Sequence, residues 1–176
     1  MTANLAHPAP TTASAPWNDA PGVRKARFIV EWREGFKVNI AQIDAEHKHL
    51  FELVKRLNLV TVHQTINELL DYVVAHFSNE QALMEQCEYP GFEAHLKLHE
   101  QFGASVADFL GAGDEWSEER IQELRRFLNK WLIGHIMTHD LRFGNWYRAQ
   151  YGRDANEVYA KVESKPGWFT RVFGLR

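Results

Sequence analysis

The apolar residues of this chain recur at intervals of three and four positions in four consecutive blocks. This period places the apolar side chains of each block on one stripe of an α-helix. We find no stretch with the strict apolar–polar alternation of a half-buried strand. The pattern therefore predicts an all-α protein with four helices, whose inward stripes run from Ile43 to Leu57, from Ile66 to Cys87, from His95 to Phe109 and from Ile121 to His135.

Turn and capping signals separate these blocks. Thr65, followed three residues later by Glu68, is typical of a capping box and predicts the start of the second helix. The other signals are Pro90-Gly91 after the second helix, Gly111 and Gly113 after the third, and Ser117 as the cap of the fourth. Because short connections make sequential helices antiparallel, the chain is predicted to form an up-and-down four-helix bundle.

The chain divides into three predicted parts. Residues 1–26 are rich in Ala, Pro and Thr without an apolar period, and we expect a disordered leader there. Residues 27–149 are expected to form the bundle. Residues 150–176 form a C-terminal extension, with a short helix predicted at 155–162 and an aromatic, basic end. This extension either folds back on the bundle or docks on a partner or a membrane surface.

Composition excludes several classes of protein. The 176 residues carry a formal net charge of −3, which argues against nucleic-acid binding. No apolar run approaches the roughly 18 residues of a membrane span, so an integral membrane protein is not expected. Cys87 is the only cysteine, which rules out an intrachain disulfide framework. Because the leader also lacks the pattern of a secretory signal, we expect a cytoplasmic protein.

Polar residues on the inward stripes point to the chemistry of the protein. Each unpaired polar group in a protein interior costs roughly 1–3 kcal/mol. Six of them would consume most of a typical stability of roughly 5–15 kcal/mol. A bound metal would compensate all of them together, and the six are His47, His76, Glu80, His95, His99 and His135.

The spacing and type of these residues fit a metal centre. His76 and Glu80 are four residues apart, as are His95 and His99, so each pair lies about 40° apart around its helix and can reach one point. Imidazole and carboxylate ligands without thiolate suit iron, manganese, copper, nickel or catalytic zinc. Since six ligands are too many for one ion, two ions sharing carboxylates are predicted.

These motifs resemble the haemerythrin family, specifically its bacterial single-domain members, over residues 32–147. The matching motifs are Ile43-Asp-Ala-Glu-His47, His76-Phe-Ser-Asn-Glu80, His95-x-x-x-His99 and His135-x-x-x-x-Asp140. The resemblance adds Asp140 to the ligands, whereas periodicity alone favours His139, because five residues rotate a helix by about 140° past a full turn. Asp140 as a ligand therefore implies that the helix is distorted or ends near Thr138, or that the side chain swings sideways to the metals, with His139 left on the solvated surface.

The resemblance implies a pair of iron ions with a bridging oxo or hydroxo group. By the family pattern, three histidines hold one ion, two hold the other, and two carboxylates bridge both. This leaves one open coordination position, on the ion with two histidines. The implied ligands are His95, His99 and His135 on the first ion, His47 and His76 on the second, and Glu80 and Asp140 as bridges.

The function implied by the resemblance is reversible binding of dioxygen, for carriage, storage or delivery. This makes the chain a binding protein rather than an enzyme, and we assign no catalytic residue. Reversible binding needs a dry pocket, for which the apolar neighbours of the ligands are Phe77, Trp131, Leu132 and Ile136. Two alternatives stay open: a sensor of dioxygen or nitric oxide that signals through residues 150–176, and a di-iron oxidase or peroxidase on the same bundle.

Overall fold

The computed structural model describes residues 29–113 and 115–152. Within these residues the regular structure is entirely helical, which confirms the predicted all-α class. The predicted leader and nearly all of the C-terminal extension, including the short helix expected at 155–162, lie outside the described residues. In the described part, no helix is both long enough and apolar enough to cross a membrane.

Four helical rods form the bundle. The first rod packs against the second and the fourth, and the second packs against the third. Contact between the rings of Phe102 and Trp131, whose centroids are 4.0 Å apart, joins the third rod to the fourth. The rods are α1 (Ala41–Arg56), α2 (Val62–Gln86), α3 (Phe92–Gly111) and an uninterrupted run of α4 (Glu118–His135), a π-helical segment (Ile136–Asp140) and α5 (Leu141–Tyr151).

The predicted inward stripes form the core. The stripe positions of the first two blocks are all buried. They are Ile43, His47, Leu50, Val54 and Leu57 in the first block, and Ile66, Leu69, Val73, His76, Glu80, Leu83 and Cys87 in the second. Two aromatic residues on the stripes of α3 and α4, Phe109 and Trp131, are only half-buried. The helical period thus predicted which side of each helix faces the core. The two aromatic side chains lie at the edge of the core.

The start of α4 confirms one predicted cap, and the start of α2 corrects another. The Ser117 hydroxyl accepts a hydrogen bond from the backbone N–H of Arg120 at 3.2 Å. The capping box at Thr65 is wrong, because α2 begins one turn earlier, at Val62. There the side-chain oxygen of Asn58 accepts hydrogen bonds from the backbone N–H groups of Val60 and Thr61 and turns the chain into the helix.

The segment before α1 is built into the bundle. Val38 and Ile40 are fully buried. The Asp44 carboxylate in the first turn of α1 accepts hydrogen bonds from the backbone N–H groups of Val38, at 2.7 Å, and Asn39, at 3.0 Å. Asn39 has a φ of 65°, in the left-handed region that Asn tolerates better than most residues. These contacts hold the segment against Gly144 of α5.

We predict that Gly144→Ala destabilises the protein, because the added Cβ would lie 2.3 Å from the carbonyl oxygen of Val38. The expected loss is about 1–3 kcal/mol in the free energy of unfolding, measured by urea denaturation. The matched control is Gly134→Ala, at an exposed helical position where a Cβ meets nothing within 4 Å. It should gain about 0.5–1 kcal/mol from helix propensity. Equal effects of the two variants would contradict the close approach.

Candidate metal centre

All seven predicted ligands lie in the interior, at the middle of the bundle. Each rod supplies at least one of them, and none is more than 5% exposed. They are His47 on α1, His76 and Glu80 on α2, His95 and His99 on α3, His135 at the end of α4 and Asp140 at the end of the π-helical segment.

Three histidines converge on one point. The Nε2 atoms of His95 and His99 are 3.1 Å apart, those of His99 and His135 are 2.9 Å apart, and those of His135 and His95 are 3.1 Å apart. Two ligand atoms at right angles on an ion with bonds of about 2.1 Å are separated by about 3.0 Å. The three nitrogens are therefore spaced like one face of an octahedral coordination shell.

Hydrogen bonds alone cannot satisfy this triangle. The Nε2 of a neutral imidazole either donates a proton or accepts one, but does not do both. Of the three mutually adjacent nitrogens, at least two must therefore both donate or both accept. Two such nitrogens cannot form a hydrogen bond with each other. A cation that accepts all three lone pairs removes this conflict, so the arrangement fits a bound metal.

Two carboxylates join this triangle to a second group of side chains. One oxygen of Glu80 lies 3.1 Å from Nε2 of His95. One oxygen of Asp140 lies 3.0 Å from Nε2 of His135, and its other oxygen lies 3.2 Å from Nε2 of His47. Potential ligand atoms accordingly fall into two sets that share Glu80: the three histidines with Glu80, and His47 with Glu80 and Asp140.

The π-helical segment explains why Asp140 faces inward. In a π-helix the backbone hydrogen bonds run from residue i to residue i+5, so each turn takes up an additional residue. His135 and Asp140, five positions apart, consequently come to the same face, and Asp140 is fully buried. The distortion that the resemblance implied near Thr138 is confirmed.

His139 does not occupy the place predicted for it. It is half-buried rather than solvated, and its ring centroid lies 5.4 Å from that of His135. Burial, followed by repulsion from His135 and His95, lowers the pKa of His139 below its ordinary value. The same π-helical segment is the cause, because it turns the residue before Asp140 partly toward the bundle.

His76 is oriented by a residue that the sequence analysis did not select. Its Nδ1 lies 2.8 Å from an oxygen of Glu46, which is buried on α1. This contact leaves Nε2 of His76 as the nitrogen that can face an ion, beside the ring of His47 at a centroid distance of 4.8 Å. Glu46 also accepts hydrogen bonds from the side-chain amides of Gln42 and Asn79.

His99 also has a polar partner at Nδ1, the side-chain amide of Gln81. The side-chain amide nitrogen of Gln81 lies 3.1 Å from Nδ1 of His99, on the side of the ring away from the three-nitrogen triangle. This contact holds the His99 ring in one orientation. The signal for Glu46 was present in the sequence, because Ile43, Glu46, Leu50 and Leu53 also follow the helical period.

Burial favours the neutral form of three of the five imidazoles. It lowers the pKa of His47 to about 4 and that of His99 well below its ordinary value. Burial also lowers the pKa of His95. Neutral imidazole is the form that binds metals, so these rings hold lone pairs ready at neutral pH.

The pKa values of the two carboxyl groups are shifted in opposite directions. Burial and the negative charge of Asp140 raise the pKa of Glu80 to about 8. Burial would also raise the pKa of Asp140, but the electrostatic interaction with His135 and hydrogen bonds from His135 and His47 hold it well below its ordinary value. Since one carboxyl ionises at the expense of the other, a cation between them would stabilise both in the ionised form.

Aromatic and aliphatic side chains surround the candidate ligands. Phe77 stacks on His99 with ring centroids 3.6 Å apart, and Trp131 stacks on His135 at 4.3 Å. Leu132 and Ile136 are buried. The four residues predicted to form an oxygen pocket therefore lie in or at the edge of the core, with both aromatic rings against the three-histidine group.

The chain matches the family model described as "Hemerythrin HHE cation binding domain" over residues 38–147, a range that contains all seven predicted ligands. It is similar to "Bacteriohemerythrin" of Stenotrophomonas maltophilia (strain R551-3), with 29% identity over 82% of this chain and 95% of the relative. It is also similar to "Myohemerythrin" of Theromyzon tessulatum, with 30% identity over 64% of this chain and 89% of the relative.

The fold has counterparts among solved structures. The structure described as "Crystal structure of hemerythrin:wild-type" aligns with 66% of this chain and 95% of its own. The alignment has a TM-score of 0.59 and 29% sequence identity. The bundle thus belongs to a known architecture.

We predict that Glu46→Gln weakens metal retention, because the amide removes the negative charge that holds Nδ1 of His76. Loss of such an outer partner typically costs 10- to 100-fold in affinity, measured by competition between the protein and an iron chelator. The matched control is Glu52→Gln, the same change at an exposed position of α1. If both variants retain the added metal as tightly as the unchanged chain, Glu46 does not orient a ligand.

Proposed function

Since the chain belongs to the haemerythrin family, we propose that it binds dioxygen reversibly at a non-haem pair of iron ions in the middle of the bundle. The observation that carries this proposal is the position of the Asp140 carboxylate. Its two oxygens lie 3.0 Å from Nε2 of His135 and 3.2 Å from Nε2 of His47. A single carboxylate placed between two groups of imidazoles is expected for two neighbouring ions rather than for one.

The proposed ligand set divides the seven residues between the two ions. The spacing of the three Nε2 atoms supports the histidines of α3 and α4 as ligands of one ion. The adjacent rings of α1 and α2 would serve the other ion, with both carboxylates and an oxo or hydroxo group as bridges. The proposed ligands are His95, His99 and His135 for the first ion, His47 and His76 for the second, and Glu80 and Asp140 for both.

The iron ions, when bound in the ferrous state, supply the electrons required for reversible dioxygen binding. The side chains of this protein supply position and protection. Glu46 fixes the ring of His76 through Nδ1. Phe77, Leu132 and Ile136 are buried next to the ligands and exclude bulk water from them. The ring of Trp131, which is half-buried, stacks on the outer side of the His135 ring.

Carriage, storage or delivery of dioxygen is favoured over catalysis. The proposed ligands include five imidazoles and only two carboxylates, a donor set less anionic than one suited to stabilising high-valent iron. No described residue favours the sensor alternative, with nitric oxide as ligand or residues 150–176 as a docking segment. The same proposal includes a cytoplasmic location, because Cys87 is a buried free thiol, as is usual in reducing compartments.

The experiment that tests this function combines iron analysis with an anaerobic-to-aerobic optical titration of the purified full chain. We expect two iron ions per chain and a visible charge-transfer band that appears with dioxygen and disappears on its removal over many cycles. Rapid conversion to a stable diferric form in the presence of peroxide or an organic reductant would favour the oxidase or peroxidase. Folded protein without transition metal, insensitive to chelators, would contradict the proposal.

We predict that His76→Ala lowers both the iron content and the thermal stability. Because metal bound to the native state stabilises it, the loss of one ligand should cost about 2 kcal/mol, or about 4–8 °C in Tm for a chain of this size. Iron analysis and calorimetry measure the two effects. The matched control is His49→Ala, which removes an exposed histidine of α1 and should leave the iron content unchanged. Because the His49 ring lies 4.3 Å from that of Tyr72, the control also measures the stability lost with a surface ring contact. Unchanged iron content in His76→Ala would exclude His76 as a ligand.

A further inference from the structure

A groove on the surface of the bundle lies directly outside the candidate metal centre. It has a volume of about 410 Å³ and runs between α3 and the fourth rod. This volume falls within the range of roughly 300–1,000 Å³ typical of small-molecule sites. Besides His135, its lining residues are Leu98, Phe127, Lys130, Trp131, Gly134 and His139.

The lining of the groove defines the chemistry of a ligand. Leu98, Phe127 and Trp131 are half-buried and give the groove apolar, mainly aromatic walls. The ammonium group of Lys130, which is exposed, and the ring of His139 stand beside these walls. Among the residues that the structure describes, no carboxylate lines the groove, although the whole chain has a net charge of −3. The described lining of the groove therefore carries a positive charge, that of Lys130, on a protein that is negative overall.

We propose that this groove binds a small planar aromatic anion, a compound with a flat ring system and a phosphate or carboxylate group. The ring system packs against the walls formed by Leu98, Phe127 and Trp131, and the anionic group pairs with Lys130 and accepts a hydrogen bond from the neutral ring of His139. A basic occupant is disfavoured by Lys130.

The groove shares a wall with the candidate centre. The Trp131 ring lines the groove and also stacks on His135, at 4.3 Å and an interplanar angle of 13°. Nε2 of His135 in turn belongs to the three-nitrogen triangle, 2.9 Å from that of His99. A ligand in the groove would thus lie against His135, a proposed iron ligand, and against the Trp131 ring that stacks on it. Binding in the groove itself does not depend on the proposed dioxygen function.

The test compares two ligands that share a ring system and differ in charge. Flavin mononucleotide and riboflavin both carry the isoalloxazine ring, but only the first carries a phosphate. Binding to the full chain, with and without iron, is measured by quenching and anisotropy of flavin fluorescence. We expect flavin mononucleotide to bind about tenfold more tightly than riboflavin, since a charge-assisted hydrogen bond contributes this much.

Two variants separate the charged and the apolar contributions. Lys130→Glu should abolish the preference for the phosphate, whereas Lys48→Glu, the same change at an exposed position of α1, should leave it intact. Gly134→Leu should weaken both flavins at least tenfold by filling the groove, because a Cβ at this position meets nothing within 4 Å. Iron content and circular dichroism are measured for each variant to establish that it is folded.

Three results would overturn the inference: equal affinities for the two flavins, an unchanged preference in Lys130→Glu, or undiminished binding in Gly134→Leu. Binding that appears only after removal of residues 153–176 would also overturn it, because the chain itself would then cover the groove. Each of these failures is distinguishable from failure of the dioxygen proposal, since flavin binding is also measured without iron and the optical titration is performed without flavin.

Discussion

The burial of five imidazoles and two carboxylates at the centre of the bundle is the constraint on which the rest of the structure depends. These groups occupy positions where a helical bundle ordinarily places aliphatic side chains. Burial keeps His47, His95 and His99 neutral, so they do not compensate the negative charge of Asp140 fully. A bound cation would make this interior favourable, and every rod carries at least one of the candidate ligands.

The fourth rod shows how the backbone adapts to this constraint. A regular α-helix would turn Asp140 away from the centre, but the π-helical segment takes up one additional residue and brings it back. The additional residue also shifts the inward face of the helix that follows. Phe143, Gly144 and Tyr147 of α5 are buried as a result, in register with Asp140 rather than with a straight continuation from His135.

Much of the fold followed from the helical period, because burial of one stripe per helix is a property of the sequence itself. The position of Asp140 did not follow from periodicity, since a π-helical insertion depends on tertiary contacts, and only the family motif indicated it. Glu46 was overlooked because His47, one residue later, occupies a competing stripe on the same helix. The start of α2 was misplaced because the side chain of Asn58 outside the helix, rather than Thr65, directs the turn. The groove is lined by residues of two different rods, so no local sequence pattern could reveal it.

The segment that precedes α1 has a consequence for the limits of the folding unit. Its Trp32 ring lies 6.4 Å from that of His47 and 5.9 Å from that of Phe51, so this segment covers the α1 side of the centre. A recombinant fragment cut at the first helical residue would deprive Asp44 of both its amide donors and open the core beside His47 to solvent. The smallest autonomous piece of this protein must therefore begin upstream of its first helix.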